Sequence, residues 1–121
     1  MTKYSRLEAL DDPDKPHKSV WRCPTGVFVK LHCTKRDNGL GAVTFEIVPS
    51  ACDETGAALR RPDGSISFLG GEQKKYRRLV KAVPDRVEDV EPLSVRINRE
   101  MLFVIARVER AVLDERDAAA L

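Results

Sequence analysis

The chain has 121 residues, of which 42% are hydrophobic and 33% charged, and its formal net charge is +2. A chain of this length and composition fits a single globular domain that buries its own core without metals or disulfides. The near balance of opposite charges does not indicate nucleic acid or an anionic membrane as the partner, so any such function must rest on a local cluster.

The start of the chain runs directly into acidic residues without an apolar stretch, so we expect no secretory signal. The apolar run from Met101 to Ala106 is far shorter than the roughly 20 residues that a membrane-spanning helix needs. We therefore expect a cytoplasmic protein, or one within a particle assembled there, with no membrane partner.

Three cysteines, Cys23, Cys33 and Cys52, cannot all pair within the chain, and their spacing fits no disulfide framework. Together with His17 and His32 they offer zinc ligands, but the closely spaced Cys-x-x-Cys or His-x-x-x-His pairs of zinc sites are missing. The sequence favours three reduced thiols and no metal or other cofactor. A disulfide between subunits remains as an alternative.

Residues 1–19 combine many charges with few apolar side chains, which predicts a flexible N-terminal arm. A single domain over residues 20–121 is expected to follow. It begins near Trp21, whose side chain offers the largest apolar surface in the chain.

The clearest strand signal is an alternation of apolar and polar residues. The apolar members are Val27, Val29, Leu31 and Cys33 in a first strand and Val43, Phe45 and Ile47 in a second. The dipeptide Asn38-Gly39 between them favours a tight hairpin turn, so the two strands should pair antiparallel. Pro49 is expected to end the second strand.

A second, more polar hairpin is predicted over residues 53–71, with Pro62-Asp63-Gly64 at its turn. Loop-forming residues flank it, so we expect it to project from the body of the domain and to contact other subunits. Its candidate interface residues are Arg60, Arg61 and Asp63.

Residues 73–83 fit either a helix or an edge strand. A helix is predicted over residues 98–117 with Asn98 as its cap, and a start at Pro92 is the alternative. Its apolar run is too wide for one helix face, so Leu102 and Phe103 are expected to contact a second surface. Together the elements predict an α+β fold, a small antiparallel sheet of hairpins with the C-terminal helix packed on one face.

Pro62-Asp63 followed by Glu72-Gln73-Lys74 matches a metal-dependent nuclease motif, in which two carboxylates hold the metal ion. Asp63 at a hairpin tip is poorly placed to share a metal with Glu72, so this is the least favoured function. No catalytic residue is assigned.

The densest basic cluster could bind phosphates and stack an aromatic ring on a base. It consists of Lys74, Lys75, Tyr76, Arg77, Arg78 and Lys81. Acidic residues follow within the segment 85–91 and weaken the field that a nucleic acid would feel.

The favoured function is a non-catalytic structural or adaptor subunit that contacts other proteins, as a homo-oligomer or within a larger assembly. Residues 43–71 followed by one long helix resemble small structural proteins of tailed bacteriophages, such as connectors and tail components. The resemblance implies a ring-forming or particle-bound subunit, that is, a virion component. The alternative is a nucleic-acid-binding regulator that uses the basic cluster.

Overall fold

The computed structural model describes residues 3–15, 17–37, 39, 43–82 and 92–120. Five strands pair antiparallel in chain order to form one sheet, and a long helix packs on one face, which confirms the predicted α+β architecture. The elements are β1 (Ser5–Arg6), β2 (Lys18–Arg22), β3 (Phe28–Asp37), β4 (Val43–Cys52), β5 (Arg78–Ala82) and α1 (Leu93–Ala119). Short 3-10 turns occupy Glu8–Leu10, Phe68–Gly70 and Lys74–Tyr76.

The centre of the sheet is the pairing of β3 with β4, which runs along the full length of both strands. The predicted alternation is confirmed, because Val29, Leu31 and Ile47 are fully buried on the face that the helix covers. At the turn, Gly39 has a φ of +78°, a left-handed conformation that glycine adopts without a steric penalty. Asn38 lies outside the described residues.

β4 continues through Pro49 to Cys52, so the prediction that Pro49 ends the strand is wrong. In an antiparallel strand the nitrogen and the carbonyl of one residue point to the same side. The Pro49 carbonyl accepts a hydrogen bond from the Gln73 amide at 2.8 Å, on a side along which β5 pairs only with residues 43–47. The missing N–H of proline therefore interrupts no ladder hydrogen bond.

The sheet includes part of the predicted arm, residues 1–19. β1 pairs with the end of β2, and the Leu7 amide donates to the Val20 carbonyl at 2.8 Å. β2 starts at Lys18, so the predicted domain boundary falls inside a strand. The composition of residues 1–19 does not predict β1, because this edge strand is held mainly by backbone hydrogen bonds. Its side-chain contact with the core comes from Tyr4.

The predicted hairpin segment 53–71 lies outside the five-stranded sheet, as expected, but only its tip projects. An isolated bridge closes a short hairpin over residues 59–67, called the 59–67 hairpin below. Its turn at residues 62–65 is exposed, whereas Ser67 and Leu69 at its base are buried against the domain.

Residues 73–83, which fitted either a helix or a strand, contain both forms of structure. The 3-10 turn at Lys74–Tyr76 leads directly into β5. Within β5 the side chains alternate, with Val80 buried and its neighbour Leu79 about half exposed. Val83 lies outside the described residues.

α1 buries one stripe of side chains against the sheet. The buried members are Val104, Ile105, Val108 and Val112. Leu102 is partly buried and packs against the same core, whereas the Phe103 side chain is 46% exposed. The core of the chain itself therefore takes up Leu102, and Phe103 is the more accessible of the two predicted interface residues.

α1 starts at Leu93, so the prediction of a start at Asn98 is wrong and the alternative start at Pro92 is right. The ring of Pro92 fixes a φ close to helical values, and its carbonyl accepts the first hydrogen bonds of the helix. Ile97 and Leu93 pack against the core, which extends the buried stripe before Asn98.

The stripe should carry most of the packing energy of α1. We expect Ile105→Ala to lower the free energy of unfolding by about 2–5 kcal/mol, because it opens a cavity in the core. Phe103→Ala should cost no more than about 1 kcal/mol, since that side chain is half exposed. Urea denaturation followed by circular dichroism measures both, and equal losses would show that Phe103 is a core residue.

Candidate functional site

An open groove lies between the C-terminal half of α1, the 59–67 hairpin and residues 68–76, with a volume of about 860 Å³. Its main apolar lining residues are Leu59, Phe68, Leu69, Tyr76, Ala111 and Val112, and the charged residues beside them are Arg60, Arg61, Lys75, Asp114, Glu115 and Arg116. Clefts of about 300–1,000 Å³ with mostly apolar walls are typical of the sites at which proteins bind small molecules and cofactors. We treat this groove as the candidate functional site.

The wall formed by residues 68–73 is fixed by a close backbone approach and a buried amide. A Cβ atom on Gly70 would lie 3.1 Å from the amide nitrogen and the carbonyl oxygen of Leu59, so a side chain does not fit there without a shift. The buried Gln73 side chain donates to the carbonyl oxygens of Phe68 and Gly71, at 2.9 and 2.8 Å. These contacts hold Phe68 in place beside the groove.

Glu115 connects the 59–67 hairpin to α1. The hydroxyl of the buried Ser67 donates to the Glu115 carboxylate, with Oε2 2.9 Å away. The Nε atom of Arg61 lies 3.4 Å from the other oxygen of the same carboxylate. Ser67 also accepts a hydrogen bond from the Leu69 amide. The polar groups of this wall are therefore bonded to one another and keep the groove open.

The three hairpin residues predicted at an interface lie at two places. Arg60 and Arg61 line the groove, and the Arg60 guanidinium donates to the Gly64 carbonyl at 2.7 Å. Asp63 lies at the tip, where its carboxylate accepts from the hydroxyl of Ser65 at 2.6 Å and from its amide at 2.9 Å. These hydrogen bonds lower the pKa of Asp63. The structure thus gives Asp63 a role in shaping the turn.

Two exposed apolar side chains were missed by the sequence analysis, Phe68, which lines the groove, and Ile66 in the 59–67 hairpin. Phe68 is 71% exposed and Ile66 is 56% exposed. The only sequence signal for them is two apolar residues in a polar hairpin, which resembles the ordinary alternation of a strand. Large exposed apolar side chains next to a cleft are typical of a binding surface.

A row of cations and aromatic rings continues from the groove along α1. Lys75 and Arg107 each lie 4.9 Å from the centre of the Tyr76 ring. Arg78 lies 4.6 Å from the centre of the Phe103 ring, with Arg107 at 5.8 Å. The guanidinium groups of the chain thus cover part of Phe103. Its role at an interface, like that of Leu102, stays a prediction.

The basic cluster at residues 74–81 does not form one positive face. Arg77 ends the 3-10 turn and Arg78 begins β5, and their side chains have different acidic partners, one in β4 and one in α1. Arg77 lies 3.8 Å from Glu46, and the Nε atom of Arg78 donates to Glu100 at 2.7 Å, which raises the pKa of Arg78. Lys81 lies on the Arg77 side, and Lys74 is exposed in the 3-10 turn. The acidic residues at 85–91 lie outside the described residues.

The residues of the nuclease motif are engaged at separate places. The Asp63 carboxylate serves the hairpin turn, whereas the Glu72 carboxylate lies 3.4 Å from Nδ1 of His32. Among the described residues, no group of three or more histidine, cysteine or acidic side chains is arranged to hold a metal ion. Neither the nuclease motif nor the zinc-ligand set of the sequence is assembled in this part of the chain.

The three cysteines are free thiols in or near the core. Burial raises the pKa of Cys23 to about 12 and that of Cys52 to about 11, and it also raises the pKa of the partly buried Cys33. Beside Cys23, the Glu109 carboxylate is a further cause of the high pKa. Catalytic cysteines have a lowered pKa that favours the reactive thiolate, whereas the raised pKa of these three cysteines favours the unreactive thiol.

In comparisons with known proteins, no family model, no curated protein and no solved structure matches the chain. No helix among the described residues is long and apolar enough to cross a membrane. The candidate site is therefore defined by geometry alone.

Thiol reactivity tests the placement of the cysteines. At pH 8 an aromatic disulfide reagent should modify Cys33 first, because its side chain is partly exposed, and Cys23 and Cys52 only after denaturation. The release of the coloured thiol with and without urea measures this. Rapid modification of Cys23 in the folded protein, located by mass spectrometry, would contradict the structure.

Proposed function

We propose that the protein is a non-catalytic structural or adaptor subunit that acts by protein contact in a larger assembly. The observation that carries this proposal is the apolar groove with Phe68 exposed beside it. Particle-bound subunits of tailed bacteriophages, which the sequence resembles, are one class of assembly that fits this function.

The exposure of Phe68 has an energetic cost that binding would recover. Burying a Phe side chain is worth about 1.5–3 kcal/mol, and Phe68 leaves most of its surface in water. Gly70 and Gln73 fix the wall that carries Phe68. An apolar surface that is held open in this way supports a contact role.

The polar groups of the groove also support binding over catalysis. Glu115 is engaged by Ser67 and Arg61, and Asp114 lies 3.2 Å from Arg110. A catalytic carboxylate needs an orientation toward substrate, whereas these carboxylates hold the walls of the groove and the surface of the helix. We therefore propose no catalytic residue and no cofactor.

A nucleic-acid-binding regulator is the second candidate, favoured by an aromatic ring, Tyr76, with the cations of Lys75 and Arg107 each 4.9 Å from its centre. Against it, Arg77 and Arg78 each have an acidic neighbour, Glu46 in β4 and Glu100 in α1 respectively. The remaining cations make a weak patch for a phosphate backbone.

We expect no micromolar binding to single-stranded or duplex DNA or RNA at low salt, because the basic cluster is divided. Fluorescence anisotropy with labelled oligonucleotides measures this. The nucleic-acid function would be favoured by binding that weakens linearly with salt on logarithmic axes and disappears in Lys74→Glu/Lys75→Glu.

The protein-contact function is tested by the size of the native species. Purified from the cells in which the sequence occurs, the chain should elute as a species heavier than its 13.6 kDa monomer. Phe68→Ser should shift it toward the monomer, because this change removes the exposed apolar contact. It should lower the free energy of unfolding only slightly, since the side chain is mostly exposed.

The control is Leu79→Ser, which removes another exposed apolar side chain, 49% exposed against 71% for Phe68, from β5 outside the groove. It should leave the heavier species intact. A chain that is monomeric at high concentration and in cell extract, with no partner bound, would end the protein-contact proposal.

A further inference from the structure

We infer that the groove binds an acidic amphipathic helix of a partner protein. This inference rests on the proposed function and adds the chemistry of the partner. It follows from the length of the groove, the hydrogen bonding of its walls and the charges beside it.

The length of the groove suits about two turns of a helix. Along α1 it extends from Ala111 to Ala119, which at a rise of about 1.5 Å per residue is about 12 Å. An amphipathic helix that docks in a groove anchors apolar side chains at positions i, i+3 or i+4, and i+7, over the same distance. The groove therefore matches the spacing of two or three such anchors.

The walls are made of backbone that is already hydrogen-bonded. The Leu59 amide donates to Ala51, and the Leu59 carbonyl accepts from Ser67. The Phe68 carbonyl accepts from the Gln73 side chain, and the Arg61 amide donates to Ser65. A peptide strand that adds to a sheet needs free amides and carbonyls, so these walls favour recognition by side chains.

The charges beside the groove favour an acidic partner. Four cations line it, Arg60, Arg61, Lys75 and Arg116, with two acids, Asp114 and Glu115. Asp114 pairs with Arg110 outside the lining and Glu115 pairs with Arg61, so Arg60, Lys75 and Arg116 are the cations left to face a partner. Carboxylates of a bound helix would therefore meet a positive rim, which steers association and fixes orientation.

Arg60 is well placed to receive such a carboxylate. Its guanidinium uses one N–H on the Gly64 carbonyl, and arginine has five donors in a planar arrangement. Lys75 also lines the groove, with its Nζ atom 4.9 Å from the centre of the Tyr76 ring. Arginine and tyrosine are enriched among the residues that contribute most to protein interfaces.

A second copy of the chain is a poorer occupant. Its one long described helix, α1, already buries its apolar stripe in its own core. The charges of α1 are also balanced, with five arginines and five acidic residues in the helix sequence. The occupant therefore needs an apolar helix face that is not already buried and a net acidic charge beside it. A helix of a different protein can have both.

The test is a selection of peptides on the intact chain. A library of random peptides of about 16 residues, long enough for four helical turns, is displayed and selected for binding at low salt. The recovered peptides are synthesised, and their affinities are measured by fluorescence anisotropy. We expect them to carry apolar residues at helical spacing with Asp or Glu on both sides, and to gain helical circular dichroism on binding.

Variants locate the site and test the charges. Phe68→Ser and the double variant Arg60→Glu/Lys75→Glu should each weaken binding of the recovered peptides by about tenfold or more. The controls Leu79→Ser and Lys81→Glu, which change β5 outside the groove, should leave it within about twofold. Thermal unfolding of every variant excludes loss of fold as the cause.

Three outcomes would overturn the inference: no recovered peptide, recovered peptides without an acidic bias, or binding that Phe68→Ser does not weaken. If the wild-type chain is heavier than a monomer in extract and Phe68→Ser abolishes this, the proposed function stands although the inference fails. A heavier species of the purified chain alone, lost in Phe68→Ser, would identify a second copy as the occupant.

Discussion

The packing of one stripe of α1 against the β3–β4 face supports the rest of the structure. Its four buried members end at Val112, and burial of each aliphatic side chain contributes about 1.5–3 kcal/mol. Beyond Val112 the helix continues to Ala119, where its neighbour is the 59–67 hairpin, joined to it through Glu115. The groove exists because α1 is anchored to the core from Leu93 to Val112, while its last turns extend along this smaller element.

The fold was predictable wherever periodicity records burial. Alternation identified β3 and β4, and the apolar stripe identified α1, because those side chains face one core. The wrong predictions for Pro49 and for the N-terminal arm have another cause. Both depend on which backbone groups form hydrogen bonds, and periodicity does not record that. Pro49 stays within β4 because its nitrogen faces a side without strand pairing, and β1 forms through hydrogen bonds that composition does not report.

The candidate site was only partly predictable. Arg60 and Arg61 were singled out as members of the predicted projecting hairpin, and Lys75 and Tyr76 for their charge and aromatic ring, under two different functions. Their convergence depends on contacts between distant parts of the chain, such as the one from Ser67 to Glu115, 48 residues apart. The role of Gly70 beside Leu59 is likewise visible only in three dimensions, because a glycine in a loop has many ordinary explanations.

The contacts that stabilise the hairpin also set the shape of the groove, so the proposed recognition would depend on the same contacts as local stability. Removing the carboxylate of Glu115 would leave the buried Ser67 hydroxyl without an acceptor and would release Arg61. A hairpin free to move would have to be ordered again on binding, at a cost in conformational entropy. Because Glu115 already holds the hairpin in the unbound chain, the proposed partner would meet a pre-ordered surface, and more of the apolar burial at Phe68 would become binding free energy.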